Sequence, residues 1–542
     1  MQHISKLLIH DFLKWLKIFI ILASLGSHNI AANAAKILGI FPHASESHFM
    51  LMRTFMMELA RREHNVTIFT SHRLDDRLGN LREIVVEPEF PFWKEVQKQS
   101  GTKDLQELSK VGDEKLVKYL AHAGHSLMDY FLSNYQVKDI LDTPPEQFDY
   151  DLIIVDMFYT EALLALGYYF RTPVVGIVSS DFANYMERVQ EIVVPSACLP
   201  YNLENYDTSI GFWQRLDNIK QCRRRRDAFI SEHYAKQEQV IRKYLPQLQG
   251  QIPSIVELQS NLALLLVNDY YPLATPKPLI PNIIPVGGLQ IRAPRELPWH
   301  VRRFLDEARS GVVYVNLGDE QLCSEIPKER MEVLLHVFSK RDERFLMTCH
   351  DLKKIDGLPK NVMLNHLVPQ TDILAHPHIK LFIMNGDLMA LQEAIIRHVP
   401  IVGIPLFDNE LENVQTAEKL QIGLRIDYGN FTETSLNWAL DAMANKEFYV
   451  LNIRDISKIY RDRPLGGLAS ALFWLDYILR YGSQPLKTQG IGMPLDQMHL
   501  SDLMIYNFLL LLLTLASLVG LYFLGLFLWR KRQTEKMFSK LN

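Results

Sequence analysis

The sequence predicts an α/β chain of two doubly wound domains in series, followed by one membrane-spanning helix. Short apolar runs alternate with amphipathic helical segments along most of the 542 residues, as in parallel sheets covered by helices. A passage rich in proline and glycine at 281–298 interrupts the alternation, which then begins again. An uncharged apolar run at 508–529 is long enough to cross a bilayer.

The N-terminal segment has the features of a secretory signal peptide. Lys6, Lys14 and Lys17 precede an apolar stretch at Ile18–Leu25, and small residues at 32–34 supply a cleavage site. We therefore expect residues 1–34 to be removed. An uncleaved N-terminal anchor is the alternative, although the apolar stretch is short for a spanning helix. Both interpretations place the following domains on the same side of the membrane.

The first half of the body is expected to form one domain, residues 35–285. A helix is predicted from about Ser47 to Arg62, because apolar residues recur there at helical spacing. Strands that are buried on both faces of a parallel sheet read as continuous apolar runs. The runs that predict such strands are Ile37–Phe41, Val66–Thr70, Leu152–Val155, Val174–Val178 and Leu262–Val267.

The second half repeats the alternation and is expected to form a second domain, residues 286–495. Two doubly wound domains in series usually bind ligand in the cleft between them, at the carboxyl ends of the strands, and we expect the chemistry there. The predicted strands of this half are Val312–Val315, Phe345–Thr348, Val362–Leu364, Leu381–Met384, Ile401–Ile404 and Leu424–Ile426.

The C-terminal run Phe508–Trp529 is predicted to be a single transmembrane helix, because its helical length of roughly 33 Å matches the hydrocarbon thickness of a bilayer. Basic residues at 530–532 follow it directly, whereas Lys487 is the one lysine or arginine in the twenty or so residues before it. This asymmetry predicts a cytoplasmic tail, residues 530–542, and a lumenal body.

Composition excludes some classes of function. A formal net charge of −4 gives no basic footprint for nucleic acid, so no nucleic-acid partner is expected. The four cysteines lack metal-ligand spacing, and no metal site is predicted, although a pair of them would be free to bridge in an oxidising lumen. Asn65 and Asn430 begin sequons and are predicted glycosylation sites, with Asn65 at the start of a strand.

One segment of the second half carries a family signature. Residues 381–410 read LFIMNGDLMALQEAIIRHVPIVGIPLFDNE, a strand followed by Gly386, Gln392-Glu393-Ala394 and a second strand that ends in Pro405. The segment resembles the donor-binding signature of the UDP-glycosyltransferases, in particular the membrane-bound members of insects and vertebrates. Further pieces stand in the expected order, among them Ser47-His48, Asp149-Tyr150-Asp151, Val286-Gly287-Gly288, Leu317-Gly318 and Val368-Pro369-Gln370.

The resemblance implies a GT-B architecture, in which the N-terminal domain binds a small lipophilic acceptor and the C-terminal domain binds a UDP-sugar. It implies transfer of a hexosyl group with inversion, with the UDP-sugar as co-substrate and no other cofactor. It also implies a single-pass type I protein of the endoplasmic reticulum membrane with its body in the lumen. A homo-oligomer is left open.

Inverting transfer needs a base that takes the proton of the acceptor hydroxyl. His48 begins a helix after the first strand, and Asp156 ends another strand of the same domain. We expect these two residues to be the catalytic pair, with His48 as base and Asp156 orienting its ring. A packed histidine and a strand-end carboxylate that caps a neighbouring helix are the alternatives.

Several donor-site positions depart from the family pattern. Asn385 stands in place of a histidine, Asp387 in place of a glycine and Asp319 in place of a serine. The sugar-contacting aspartate-glutamine pair of the family reads Asn409-Glu410. A carboxylate at position 387 would cap the following helix where the diphosphate normally binds. A pseudoenzyme that binds a lipophilic ligand or a partner is therefore the alternative function. The residues expected to bind the donor are Gln370, Asn385, Gly386, Glu393, Asn409, Glu410, Asn413, Gly318 and Asp319.

A cluster of methionines between Met50 and Met57 is expected to lie mostly in the core, because the residues recur at helical spacing. The alternative is that some of these methionines line an acceptor pocket together with Phe90, Phe92 and Trp93. The sequence leaves both interpretations open.

Overall fold

The computed structural model describes most of the chain with side chains. The predicted signal peptide before Ala34, Asp319 and the segment at 180–210 lie outside the described residues. The described ranges are 34–43, 45–74, 78–179, 211–248, 250, 252–273, 279–318, 326–348, 357–365, 368–444, 447–487 and 501–541.

The first half of the chain forms a seven-stranded parallel sheet with the order β3-β2-β1-β4-β5-β6-β7. Its central strands are buried on both faces, which explains their continuous apolar sequences. The strands are β1 (Lys36–Phe41), β2 (Asn65–Thr70), β3 (Leu81–Val85), β4 (Leu152–Asp156), β5 (Val174–Val178), β6 (Leu264–Val267) and β7 (Ile283–Pro285).

Helices connect most of these strands, as is usual between parallel strands. Among the described residues no helix lies between β2 and β3 or between β6 and β7. A π-helical turn at Phe229–Tyr234 lies between two of them. The helices described in this half are α1 (Glu46–Arg61), α2 (Phe92–Ser100), α3 (Leu105–Leu108), α4 (Asp113–Ser133), α5 (Tyr135–Leu141), α6 (Leu164–Phe170), α7 (Phe212–Ala228), α8 (Ala235–Tyr244) and α9 (Ile255–Ser260).

The second half forms a six-stranded parallel sheet with the order β10-β9-β8-β11-β12-β13. Its strands are β8 (Val312–Asn316), β9 (Arg344–Thr348), β10 (Val362–Asn365), β11 (Ile379–Met384), β12 (Ile401–Gly403) and β13 (Gly423–Arg425). Its helices are α10 (Trp299–Asp306), α11 (Lys328–Ser339), α12 (Gln370–Leu374), α13 (Leu388–Arg397), α14 (Asp408–Lys419), α15 (Glu433–Ala444), α16 (Glu447–Arg461) and α17 (Gly467–Tyr481).

Helix α17 returns from the second half to the first sheet. Its apolar residues Ala471, Leu472 and Leu475 belong to the same buried cluster as Ile37 of β1. The helix approaches closely at Gly467, where an added Cβ would stand 2.3 Å from the carbonyl oxygen of Val286. The domain limits expected from the sequence stay a prediction, and this packing ties the end of the second half to the first core.

Every predicted strand is present, with ends within two residues of those expected. The predicted helix after β1 is also present as α1, and its Met52, Met56 and Met57 lie in the core. The strands β3 and β7 were not predicted. Strand β3 reads LREIV and is partly exposed, and β7 is a three-residue strand inside the passage rich in proline and glycine.

The chain divides into two compact units, one ending at Lys487 and one beginning at Thr488. The described part of the second unit is the helix α18 (Ser501–Leu541), which contains the predicted span 508–529. Its stretch Leu503–Met537 is long and apolar enough to cross a membrane, with a mean hydropathy of 2.4. By length and composition it is a candidate transmembrane helix.

Candidate active site

The two predicted catalytic residues are in contact. Asp156 is the last residue of β4, and His48 lies in the first turn of α1, which follows the neighbouring strand β1. Nδ1 of His48 is 3.2 Å from Oδ2 of Asp156, and the two side chains are 10% and 1% exposed. Because the carboxylate holds Nδ1, Nε2 is the ring atom suited to accept a proton.

Ser179 is a third polar residue at this point, and sequence reasoning missed it. It directly follows β5, and its Oγ lies 2.7 Å from Nε2 of His48 and 3.1 Å from Nδ1. The remaining carboxylate oxygen of Asp156, Oδ1, is buried and has no hydrogen-bond partner among the described residues. A polar residue directly after a buried central strand was the signal available in the sequence.

Aromatic rings surround the histidine. Phe158 contacts both His48 and His43 edge-on, with ring centroids 5.2 Å and 4.8 Å apart, and Phe92 packs beside Phe158. Burial lowers the pKa of His43 well below its usual value, and the nearby His48 and His72 lower it further. His43 is therefore neutral at physiological pH, and its Nδ1 accepts a hydrogen bond from the backbone N–H of Ser45 at 3.1 Å.

Across the cleft, Asn385, Gly386 and Asp387 connect β11 to the helix α13. Gly386 has a φ of +108°, and an added Cβ would stand 2.6 Å from the carbonyl oxygen of Glu410, so glycine is required there. Asp387 caps α13, since its Oδ2 accepts the N–H of Ala390 at 3.0 Å. The predicted capping is confirmed.

Asn385 and Glu410, two of the positions that depart from the family pattern, bond to each other. Nδ2 of Asn385 donates to Oε1 of Glu410 at 2.6 Å. Oε2 of Glu410 accepts the backbone N–H groups of Leu406 and Phe407 at 2.8 Å and 3.1 Å. Burial raises the pKa of Glu410 to about 7, against the effect of these hydrogen bonds, and the charge of Asp387 adds to the rise.

Glu393 forms a second buried group on the same side of the cleft. Its Oε2 accepts from Nε2 of Gln370 at 2.8 Å, and its Oε1 accepts from the hydroxyl of Thr371. Nδ2 of Asn316 donates to Oε1 of Gln370 at 3.0 Å, which fixes the orientation of that amide. Burial raises the pKa of Glu393, and the hydrogen bonds of Thr371 and Gln370 oppose the rise.

The other predicted donor residues occupy different surroundings. Asn413 of α14 donates to the carbonyl oxygen of Gly386 at 2.9 Å, which links this helix to the loop after β11. Gly318 has a φ of +114° just beyond β8. Asn409 is exposed in the first turn of α14, and Asp319 lies outside the described residues. The structure thus brings Asn385, Gly386, Glu410 and Asn413 together, and Gln370 with Glu393.

An open cavity of about 400 Å³ is lined by residues of both halves. Residues of α1 and of the segment before α12 line it, including Phe49, Met50, Arg53, Val368 and Pro369. Arg53 is held by the carbonyl oxygen of Leu74, with its Nη2 at 3.1 Å. A ligand there would contact both halves of the cleft.

No metal centre was predicted. Among the residues that the structure describes, no group of three or more His, Cys, Asp or Glu is arranged to hold a metal ion. Of the two predicted glycosylation sites, Asn65 is exposed as the first residue of β2, although its sequon partner Thr67 is buried in that strand. Asn430 is exposed between β13 and α15.

Comparison with known proteins agrees with this geometry. A family model described as UDP-glucoronosyl and UDP-glucosyl transferase matches residues 35–535. The UDP-glycosyltransferase UGT4 of Dactylopius coccus is 29% identical over 490 residues, which cover 89% of this chain and 93% of that protein. The UDP-glucuronosyltransferase 2B30 of Macaca fascicularis is 26% identical, with 90% and 93% covered.

Solved structures give the same fold. The calicheamicin glycosyltransferase CalG4 matches with a TM-score of 0.55 at 16% identity, covering 83% of this chain and 99% of that one. A UDP-glucosyltransferase from Polygonum tinctorium matches with a TM-score of 0.54 at 15% identity, covering 82% and 99%. The two parallel sheets are therefore the two Rossmann-like domains of a GT-B fold, as predicted. The chain belongs to the UDP-glycosyltransferase family, and it is an enzyme that takes a UDP-sugar as co-substrate.

Proposed function

We propose that this enzyme transfers a hexosyl group from a UDP-sugar to the hydroxyl of a small lipophilic acceptor, with inversion at the anomeric carbon. The contact between His48 and Asp156 carries the proposal, because a buried histidine held at Nδ1 by a carboxylate presents Nε2 as a base. The apolar rings of Phe92 and Phe158 beside it favour a lipophilic acceptor.

In this reaction the acceptor oxygen forms a bond to the anomeric carbon on the face opposite UDP. The bond between that carbon and the β-phosphate oxygen breaks, and UDP leaves with the bonding electrons. Nε2 of His48 takes the proton of the acceptor, and the carboxylate of Asp156 stabilises the imidazolium that forms. Ser179 lies 2.7 Å from Nε2, where its hydroxyl holds the ring until the acceptor hydroxyl arrives.

We assign donor binding to Asn385 and Gly386 of the loop after β11 and to Asn413 of α14, with Gln370 and Glu393 at the ribose. The remaining residues predicted from the sequence to bind the donor are Glu410, Asn409, Gly318 and Asp319. The backbone N–H groups at the start of α13 favour an anionic diphosphate. We do not propose a pseudoenzyme, because family membership and the intact His48–Asp156 contact both favour transfer.

A transfer assay with a matched histidine control tests the proposal. Microsomes that contain the full chain are incubated with labelled UDP-glucose and a panel of phenols and aliphatic alcohols. His48→Ala is expected to lower kcat by about a hundredfold or more, since a general base contributes on that order. His336→Ala removes an exposed histidine of α11 and should leave the rate unchanged. Transfer in the wild type no greater than in His48→Ala would contradict the proposal.

We further propose a single-pass type I topology in the endoplasmic reticulum membrane. The apolar helix α18 and the basic residues that follow position 529 support it. A lumenal body would be glycosylated at the exposed Asn430. Asn430→Gln should then abolish one mobility shift that is sensitive to endoglycosidase H, whereas Asn437→Gln, which alters no sequon, should not. An unglycosylated body in intact microsomes would contradict this orientation.

A further inference from the structure

A continuous row of aromatic rings leads from the proposed base to the second half of the cleft. His48 meets Phe158 at 5.2 Å between ring centroids, and Phe158 meets Phe92 at 5.6 Å. Phe92 meets Trp93 edge-on at 5.8 Å, and Trp93 stacks on Phe407 at 5.3 Å with an interplanar angle of 19°. The row thus begins at the reacting proton and ends on a residue of the donor signature.

The stack of Trp93 on Phe407 bridges the two halves of the chain. Trp93 lies at the start of α2 in the first half, whereas Phe407 directly precedes α14 in the second. Both rings are only half-buried, and with Leu406 they belong to an apolar cluster separate from the cores of the two sheets. Each ring therefore keeps some exposed surface beside the stack, whereas core aromatic rings are fully buried.

A residue of the second half holds the backbone of Phe407 in place. The buried carboxylate of Glu410 accepts the backbone N–H groups of Leu406 and Phe407. The same carboxylate accepts from Asn385, which begins the loop after β11. Glu410 therefore positions the backbone that carries Phe407.

We propose that Trp93 and Phe407 contact the acceptor and form a wall of its site that both domains share. This wall selects acceptors that have a flat aromatic body. The inference rests on the proposed function, since it takes Nε2 of His48 as the atom that meets the hydroxyl. It adds that the donor signature itself supplies an acceptor-binding side chain.

The geometry explains the selectivity. A saturated acceptor gains only apolar burial against this wall, whereas a planar aromatic one also gains offset or edge-on contacts between π-systems. Substitution by leucine keeps an apolar side chain at the position but removes the aromatic ring. Replacement of either aromatic residue by leucine should therefore penalise aromatic acceptors more than saturated ones.

The test compares 1-naphthol with decahydro-1-naphthol, which share a skeleton and a hydroxyl position. The quantity measured is kcat/KM for 1-naphthol divided by kcat/KM for decahydro-1-naphthol. The ratio of each variant is divided by that of the wild type, so that the different acidity of the two hydroxyl groups cancels. Trp93→Leu and Phe407→Leu should each lower this ratio about tenfold, with the KM of UDP-glucose within about twofold of the wild type. Because the two rings touch, the double variant should lower the ratio by less than the product of the single effects.

Two control variants distinguish the loss of an aromatic ring in the proposed wall from a general loss of folding or activity. Trp93→Phe keeps an aromatic face and should retain most of the ratio. Trp438→Leu removes a tryptophan of α15 that is 54% exposed, and it should leave the ratio unchanged.

The outcomes distinguish this inference from the proposed function. If the wild type transfers sugar and both leucine variants keep the wild-type ratio, the shared wall is wrong and the proposed function stands. If the wild type transfers to no acceptor, the proposed function fails, and equilibrium dialysis of 1-naphthol then tests the wall. Binding that is weakened in Trp93→Leu and Phe407→Leu would support the wall, and unchanged binding would overturn it.

Discussion

The two halves of the cleft use their buried polar residues differently. In the first half, Asp156 holds Nδ1 of His48, and Nε2 of the same ring lies 2.7 Å from the hydroxyl of Ser179. In the second half, Asn385 and Glu410 are bonded to each other. In the proposed function the first half takes a proton from a ligand, whereas the buried polar groups of Asn385 and Glu410 in the second half bind to each other and to nearby backbone.

This difference changes the meaning of the departures in the donor signature. A histidine replaced by Asn385 and a glutamine replaced by Glu410 look like two separate losses in the sequence. In the structure they form one hydrogen bond, and Glu410 also holds the backbone of Leu406 and Phe407. The two replacements are therefore one local rearrangement that keeps the loop ordered.

The largest contrast between the halves is expected for Asp156→Asn. The amide cannot stabilise the imidazolium of His48, so kcat should fall by about a hundredfold or more. The affinity for UDP should not change, because Asp156 lies on the acceptor side. Initial rates and calorimetry measure the two quantities, and Asp139→Asn, at an exposed position of α5, is the matched control. A loss of UDP affinity equal to the loss in kcat would remove the distinction between the halves.

Glu410→Gln should change the pH dependence of stability. Burial raises the pKa of Glu410 from 4.5 to about 7, so the folded state binds the proton more tightly than the unfolded state. That contribution is fully present below pH 4.5 and is lost as pH rises through 7. It amounts to about 3 kcal/mol of the free energy of unfolding.

Thermal unfolding of the full chain in detergent at pH 5 and pH 8 measures this effect. Glu410→Gln should lose less stability between the two pH values than the wild type does. The exposed Glu332 provides the control, since Glu332→Gln should follow the wild type at both pH values. An equal loss of stability in the wild type and in Glu410→Gln between pH 5 and pH 8 would contradict a raised pKa of Glu410.

A smaller effect is expected for Asp387→Asn. Asparagine caps a helix about as well as aspartate, so α13 should remain intact while the negative charge is removed. A unit charge about 5 Å from a phosphate repels it by about 3 kcal/mol at an effective dielectric constant near 20, and solvent reduces this figure. The affinity for UDP, measured by calorimetry, should therefore rise about tenfold. Asp306→Asn, at an exposed position of α10, is the control and should leave this affinity unchanged. Unchanged affinity would place Asp387 away from the diphosphate.

The fold was predictable because strands buried on both faces of a parallel sheet are continuous apolar runs. Strands β1 and β4, which position His48 and Asp156, are such runs. The contact of His48 with Asp156 was predictable because His48 follows β1 and Asp156 ends β4, and the carboxyl ends of parallel strands lie at one edge of a sheet. The bond from Asn385 to Glu410 was not, since it depends on how α14 approaches the loop after β11. Likewise, nothing local marks Trp93 and Phe407 as partners.

Titration of the full chain with UDP tests most directly whether the rearranged loop still serves a transferase. Enzymes commonly hold their substrates with constants between about 1 µM and 1 mM, and we expect the dissociation constant of UDP in that range. His48→Ala should leave this constant unchanged, since the proposed base lies in the first half and the proposed donor residues lie in the second. Saturable binding would agree with a donor site ordered around Glu410. No detectable binding at concentrations about tenfold above that range would contradict it.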